Sequence, residues 1–470
     1  MSDQQELPNS SPAMVNQRPS VFTGLSSSPG FKFIITGVIT FLLLIPALLV
    51  WALVEERANR ADQVAQSISQ GWGNQQRING PYLVVPYMTK QKQNDVYIDV
   101  RRYAIFSPSN LDASSNLDVE ERKKSIYSTP LYHMKSRLTG TFDKMDTSQI
   151  IARNGRPRLS EAFIAIEVSD LAGFRSEVIA KLNDANEGIF APGLAGLAPS
   201  ISHNRYNSQH NATKSNGIHL DIEETLLNEE IKFEIDLAIN GSRALEIVPS
   251  GKTTYVSMVS NWPHPGFNGR FLPETRSITE TGFEAKWTVP NLARGISAVT
   301  FGTQMSKADS IIEVSFVKPL KFYQLVSRTL KYAVAFFSLV FLAIFILELT
   351  SQTSVHWIQY ILTGLAMVVF YILLLALAEQ VGFDIAYIVA SLATTGLIAW
   401  YVGNALSSRN AVYVLASVVG LTYAIMYLIL KEDEYALMIG AIIAFAAIAF
   451  TMYATRNVDW SKSSNKTVNA

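Results

Sequence analysis

His264 has the most legible chemistry in this chain, because it stands in the run Trp262-Pro263-His264-Pro265-Gly266-Phe267, where two prolines stiffen the backbone around an imidazole and two aromatic rings. A loop of that kind can present Trp262, His264, Phe267 and the following Arg270 as a binding set for a glycan ring or a partner. The commoner use of aromatics beside a strand is to cap a sheet core, and that structural role takes precedence here. An imidazole can also act as a general acid or base, but catalysis needs an oriented partner, and no spacing marks one. No catalytic residue is assigned.

His203, His210 and His219 match no zinc or iron spacing, and a polar segment collects histidines readily, so no metal and no cofactor are expected. Gly-x-Ser-x-Gly, the P-loop, His-Glu-x-x-His and the dinucleotide fingerprint are all absent. Lys plus Arg equals Asp plus Glu at 39 each, which leaves no basic excess for phosphate neutralisation and excludes nucleic acid as a partner. The chain has no cysteine, which removes disulfides, thiolate metal sites and cysteine nucleophiles.

The elements that would position these residues are of two kinds. Residues 33–54 carry no charge, and at about 1.5 Å per residue they span roughly 33 Å, enough for a bilayer core. Similar runs occupy 332–349, 357–378, 385–406, 412–430 and 435–453, with Glu348 as their one formal charge. The first run is too long for a signal peptide, and Glu55-Glu56-Arg57 offers no small-residue cleavage site. Lys32, Arg409, Arg456, Lys462 and Lys466 fit the cytoplasmic side, and the acidic Glu432-Asp433-Glu434 turn fits the outer one. Both termini are therefore expected in the cytoplasm and residues 71–331 in the periplasm. Transport would call for ionisable groups at mid-bilayer, whereas Glu348, His356, Glu379 and Asp384 lie at helix ends.

Between the membrane runs the hydrophobic period changes. Val54, Ala58, Ala61, Val64 and Ile68 keep helical spacing, which predicts a stalk over 55–70 ending at Gly71-Trp72-Gly73. Period-two alternation follows at Val96, Ile98 and Val100, at Ile218, Leu220 and Ile222, at Phe283, Ala285, Trp287 and Val289, and at Ile312, Val314 and Phe316. Its clearest instance runs Ile231, Phe233, Ile235, Leu237 and Ile239 to Asn240-Gly241, a pair that favours a type I′ hairpin turn. Gly80-Pro81-Tyr82 reads as a turn before the apolar strand 83–85. Residues 187–216, rich in Gly, Ser, Asn and Pro, read as a mobile loop, and residues 1–32 as a disordered tail. The expected fold is a membrane α-helical protein with one N-terminal and five C-terminal helices (332–453), a large inserted β-rich, sandwich-like domain, and a cytoplasmic tail over 454–470.

Several blocks resemble the CreD family of Gram-negative inner-membrane proteins, described as envelope-integrity or colicin-tolerance proteins. They are Gly71-Trp72-Gly73 with Gly80-Pro81-Tyr82-Leu83-Val84-Val85-Pro86-Tyr87, then Ser260-Asn261-Trp262-Pro263-His264-Pro265 with Phe267-Asn268-Gly269 and Phe271-Leu272-Pro273. In the membrane region they are Ile358-Gln359-Tyr360, Gly364-Leu365-Ala366, Gly382-Phe383, Glu434-Tyr435-Ala436-Leu437 and Val458-Asp459-Trp460. The resemblance implies an inducible membrane protein tied to envelope stress or sensor-kinase signalling, and it implies no known reaction. Residue chemistry and resemblance together favour a non-enzymatic protein of envelope integrity whose exported domain binds an envelope glycan, a lipid or a membrane protein. The alternative is a transporter or lipid-handling protein using the C-terminal helices.

Overall fold

The computed structural model describes residues 29–456 except 94, 126, 184–185, 199–216, 296, 306–309, 317–321, 352–354, 407–408 and 432–435. The chain forms two compact units, one of residues 59–319 and one of the helices that precede and follow it.

The helical unit opens with α1 (Pro29–Leu42) and α2 (Leu44–Trp72), which meet at Leu43. Pro46 has no N–H to give Leu42, so the ladder is interrupted one turn before it. The long helix passes through the predicted boundary at residue 54 without a break, and the expected stalk is its continuation. Ile39, Leu43, Val50 and Val54 are buried, while Phe33, Phe41 and Leu49 face outward, as suits a lipid-facing side. Where α1 packs against a later helix, a Cβ on Gly364 would lie 2.1 Å from a Leu43 methyl, so glycine permits the close approach.

Within the β unit, β1 (Gln76–Gln93) and β2 (Val96–Phe106) make a long hairpin, as do β3 (Asn110–Lys124) and β4 (Tyr127–Phe142). Short strands follow as β5 (Arg156–Pro157), β6 (Phe163–Val168), β7 (Ile179–Leu182), β8 (Asn186–Ile189), β9 (Ala191–Pro192) and β10 (Gly217–Asp221). The unit continues through β11 (Ile231–Ser242), β12 (Ala244–Val248), β13 (Thr253–Ser260), β14 (Gly266–Gly269), β15 (Thr275–Thr279), β16 (Gly282–Val289), β17 (Val299–Gly302) and β18 (Ile312–Ser315). Sheet I runs β14-β18-β12-β1-β6-β10-β9, with β2 and β5 on β1 and β17 on β2. Sheet II runs β15-β16-β13-β3-β4-β11-β7-β8. Pairings are antiparallel except β1 with β12 and β3 with β13.

One hydrophobic core joins the inner faces of the two sheets, with Leu83, Ile164, Ile166 and Leu245 from sheet I meeting Leu138, Ile235, Met258 and Trp287 from sheet II. The alternation in β11 is realised, with its five apolar residues buried and Lys232 and Asp236 exposed. Sheet I is also covered on its outer face, where Tyr82, Val84, Tyr103 and Phe163 pack under Leu194, Leu197 and Met305. This second core accounts for the unbroken apolar run around residues 82–85, since strands buried on both faces lose alternation.

Three local expectations are corrected. Gly80-Pro81-Tyr82 is no turn; it lies inside β1, where the register with β6 shifts between Asn79 and Tyr82 and the Gly80–Pro81 bond is cis. Asn240-Gly241 makes no hairpin either, because both residues pair with β4 opposite His133 and Tyr132. A Cβ on Gly241 would fall 2.3 Å from the Tyr132 ring, so this glycine serves a close packing contact, and the chain leaves sheet II at Arg243, φ +66°. Residues 187–198, assigned by composition to the loop, contain the rest of β8, β9 and the cover residues Leu194 and Leu197, while 199–216 and the tail before residue 29 lie outside the described residues.

After the β unit the chain enters α3 (Phe322–Lys331), an amphipathic helix whose Tyr323, Leu325, Val326 and Leu330 are buried. Then come α4 (Ala333–Ser351), α5 (Trp357–Val381), α6 (Phe383–Ala405), α7 (Arg409–Lys431) and α8 (Ala436–Thr455). The four from α4 to α7 are long and apolar enough to cross a bilayer, as is the N-terminal helix. In α8 the apolar stretch Met438–Tyr453 is shorter than those spans.

Candidate functional site

The loop over residues 262–267 is built into the fold. Trp262 is 7% exposed and belongs to the main core, and its indole N–H donates to the His264 carbonyl at 3.0 Å. Asn261 ties the loop to β3 by accepting from the Val119 N–H at 2.8 Å and donating to Asp118 Oδ1 at 2.7 Å. Phe267 is half-buried and meets the Phe283 and Trp287 rings edge-on at 5.6 and 5.9 Å. His264 and Arg270 are exposed, and neither side chain makes a hydrogen bond or ion pair among the described residues. The two aromatics thus anchor the loop and the two polar residues face out. His219 sits apart, its Nδ1 2.9 Å from the Gly193 carbonyl, whereas His203 and His210 lie outside the described residues.

A second feature escaped the sequence reading. The outer face of sheet II holds an open groove of about 740 Å³ lined from six neighbouring strands, β13, β3, β4, β11, β7 and β8. At roughly 4.8 Å between strands, five spacings make it about 24 Å long. Strand alternation that turns Met134 and Leu138 inward leaves His133, Lys135 and Arg137 of β4 outward. Cross-strand register aligns Ser114, Arg137 and Asp236 in one row and Asn116, Lys135 and Ala238 in the next. Arg137 is held by Asp236 at 2.9 Å, with Glu234 at 3.5 Å, and these carboxylates strengthen its protonated form. Lys135 makes no ion pair among the described residues. Beyond this row, His133, Arg122 and Arg175 surround Trp72, the guanidinium carbons 4.4 and 5.2 Å from its ring centre and the imidazole 4.8 Å away. Asn240 lies 2.7 Å from His133 Nδ1, and with its amide turned so that the nitrogen donates to His133 its oxygen accepts from the Arg175 guanidinium. The one sequence signal for this face was the polar half of each alternating strand, which marks a solvated surface equally well.

On sheet I the register places Glu313 of β18 directly opposite Glu246 of β12, with Arg77 of β1 on the far side of Glu246. Arg77 forms an ion pair with Glu246, and Gln75 donates to its other oxygen at 2.7 Å. Burial, and then the neighbouring Glu246 charge, raise the Glu313 carboxyl above the usual carboxylate range. For an acid raised in the folded state, ionisation costs stability; the cost is absent below the unfolded pKa and complete once the pH passes the raised value. Glu313→Gln is therefore expected to melt higher than the parent at neutral pH and together with it near about pH 4, as thermal denaturation of the purified chain at both pH values would read.

Three carboxylates of the helical unit have partners. Glu348 is 5% exposed, forms an ion pair with Lys32, and accepts from the Tyr360 hydroxyl at 2.9 Å and the Val355 N–H at 3.0 Å. Although it lies at a helix end, this acid is buried, because α1 brings Lys32 to it. Glu379 accepts from Tyr323 at 3.2 Å, and Asp384 pairs with Lys431 at 2.7 Å. His356 caps α5, its Nδ1 accepting from the Ile358 N–H. Residues 432–434 lie outside the described residues.

A two-sheet β unit inserted between a first apolar helix and a C-terminal helical bundle, with no assembled catalytic constellation among the described residues, defines a polytopic membrane protein with a large non-helical insert. The sequence matches the family described as "Inner membrane protein CreD" over residues 28–461. It is similar to the "Inner membrane protein CreD" of Escherichia coli (strain K12), 31% identical over 431 residues that cover 89% of this chain and 91% of that protein. The chain belongs to the CreD family of inner membrane proteins.

Proposed function

We propose that this protein supports envelope integrity or the envelope stress response without catalysing a reaction, with both termini in the cytoplasm and the β unit in the periplasm, where it binds an envelope component. The groove on the outer face of sheet II carries this reading. It is an open, shallow face across six strands, lined by Ser, Asn and charged side chains together with Ile179, Ala238 and Val259, a mixed surface able to hold an amphipathic ligand. His264 and Arg270 form a second, smaller contact set on a loop that Trp262 and Phe267 fix from beneath.

The test is photocrosslinking in intact cells. A photoreactive side chain replacing Asn116 in the groove is expected to capture an envelope component, while one replacing the exposed Thr279 on β15 is expected to capture none. Should Asn116 give no adduct, or should both positions give the same one, the groove has no binding role.

A further inference from the structure

The hairpin of β1 and β2 outruns the sheet that supports it. Strand β6 pairs with β1 only to Val84 and β5 only to Met88, while β17 pairs with β2 only from Tyr103 onward. From Thr89 to Arg102 the two strands pair with each other alone, in a register that sets Lys90 against Asp99, Gln91 against Ile98 and Lys92 against Tyr97. An isolated two-stranded ribbon has no core of its own, and polar side chains would be the ordinary way to solvate it. This one ends in Val96, Tyr97 and Ile98, exposed by 62%, 66% and 40%.

The charge around the ribbon is one-sided. Lys92 is taken up by Asp95 at 2.6 Å and Arg101 by Glu161 at 2.7 Å. Lys90 and Arg102 on the ribbon, and Arg156 and Arg158 at its base, make no ion pair among the described residues. Arg156 stands opposite Met88 in the register, and the Arg158 N–H donates to the Pro86 carbonyl, so both belong to the ribbon's foot. Against these four cations the ribbon offers Asp99. The chain as a whole is charge-neutral, so this is a local concentration of positive charge.

We propose that the β1/β2 ribbon is a lipid-docking finger, with Val96, Tyr97 and Ile98 entering the interface of an anionic bilayer and Lys90, Arg102, Arg156 and Arg158 meeting the headgroup phosphates. An aromatic with a polar tip beside two aliphatic residues is the composition that favours the headgroup–acyl boundary, and basic residues next to it gain from anionic lipid. The chain enters the β unit from one membrane helix and leaves it into others, so a bilayer is always at hand. This inference is independent of the groove on sheet II.

Because the chain lacks cysteine, Tyr97→Cys can be labelled uniquely with an environment-sensitive fluorophore in the full-length protein. The protein is reconstituted in phosphatidylcholine vesicles with or without roughly one-third phosphatidylglycerol, both carrying lipid-linked quenchers. Quenching is expected in the anionic vesicles only, and it is expected to fall on raising the salt to about 0.5 M. The same label at the exposed Ser277→Cys of β15 is expected to stay in water. Reversing two charges with Lys90→Glu and Arg156→Glu is expected to reduce the inserted population by about thirtyfold or more. A label at residue 97 that stays in water in both mixtures overturns the proposal, and equal quenching in pure phosphatidylcholine overturns its electrostatic half.

Discussion

Trp262→Ala is expected to destabilise the β unit by about 3–5 kcal/mol, the range for deleting a large buried aromatic. Trp262 is 7% exposed within the core that joins both sheets, its backbone N–H donates to Ser260 Oγ at 3.2 Å, and its indole holds the His264 carbonyl. Truncation opens a cavity and removes the donor from that carbonyl, two costs that add. Trp262→Phe keeps most of the volume and loses the hydrogen bond, so it is expected to cost about 1 kcal/mol or a little more. His264→Ala, at an exposed position, is expected to stay within about 0.5 kcal/mol of the parent. Thermal or denaturant unfolding of the purified chain would read all three. If Trp262→Ala unfolds with the parent while the cell envelope phenotype changes, the residue is a binding group and the core assignment is wrong.

Glu348→Ala is expected to cost the helical unit about 3 kcal/mol, because it removes the counter-ion of the part-buried Lys32 and the acceptor of two further donors. Lys32 would lose its counter-ion, and the Tyr360 hydroxyl and the Val355 N–H would lose their acceptor. The cost arises from breaking the pair, since a well-packed apolar pair often replaces a buried ion pair without loss. The double variant Lys32→Met with Glu348→Leu is therefore expected to recover the part of the loss that comes from the unpaired lysine, while the Tyr360 hydroxyl and the Val355 N–H stay without their acceptor. Unfolding in detergent, followed by loss of helical signal on heating, would compare the three proteins. A double variant no better than Glu348→Ala would mean that the carboxylate acts through partners other than Lys32.

Neither prediction was available from sequence in the same form. Trp262 was legible as an aromatic in a stiff loop, and its alternative roles of binding group and core cap differ only in which way the ring points. That direction is set by contacts with strands far away in the chain. Glu348 looked accessible because it lies near a helix end, but helix ends are exposed only if nothing packs on them. The N-terminal helix does so, over a separation of 316 residues. Asn240-Gly241 misled in the same manner: the pair is a strong hairpin signal, yet here Gly241 answers the need for space beside Tyr132.

What the sequence by itself determined is the division of the chain into apolar helices and alternating strands, because hydrophobic period and run length are local properties that water and lipid read directly. The motif blocks along the chain also marked its family. The tertiary structure alone decided which strands became neighbours, and with them the groove on sheet II, the Glu246–Glu313 contact and the ribbon that outruns its sheet. Strand order and register depend on pairings between distant segments, whose closure entropy varies only slowly with separation, so no local signal announces which pairing wins.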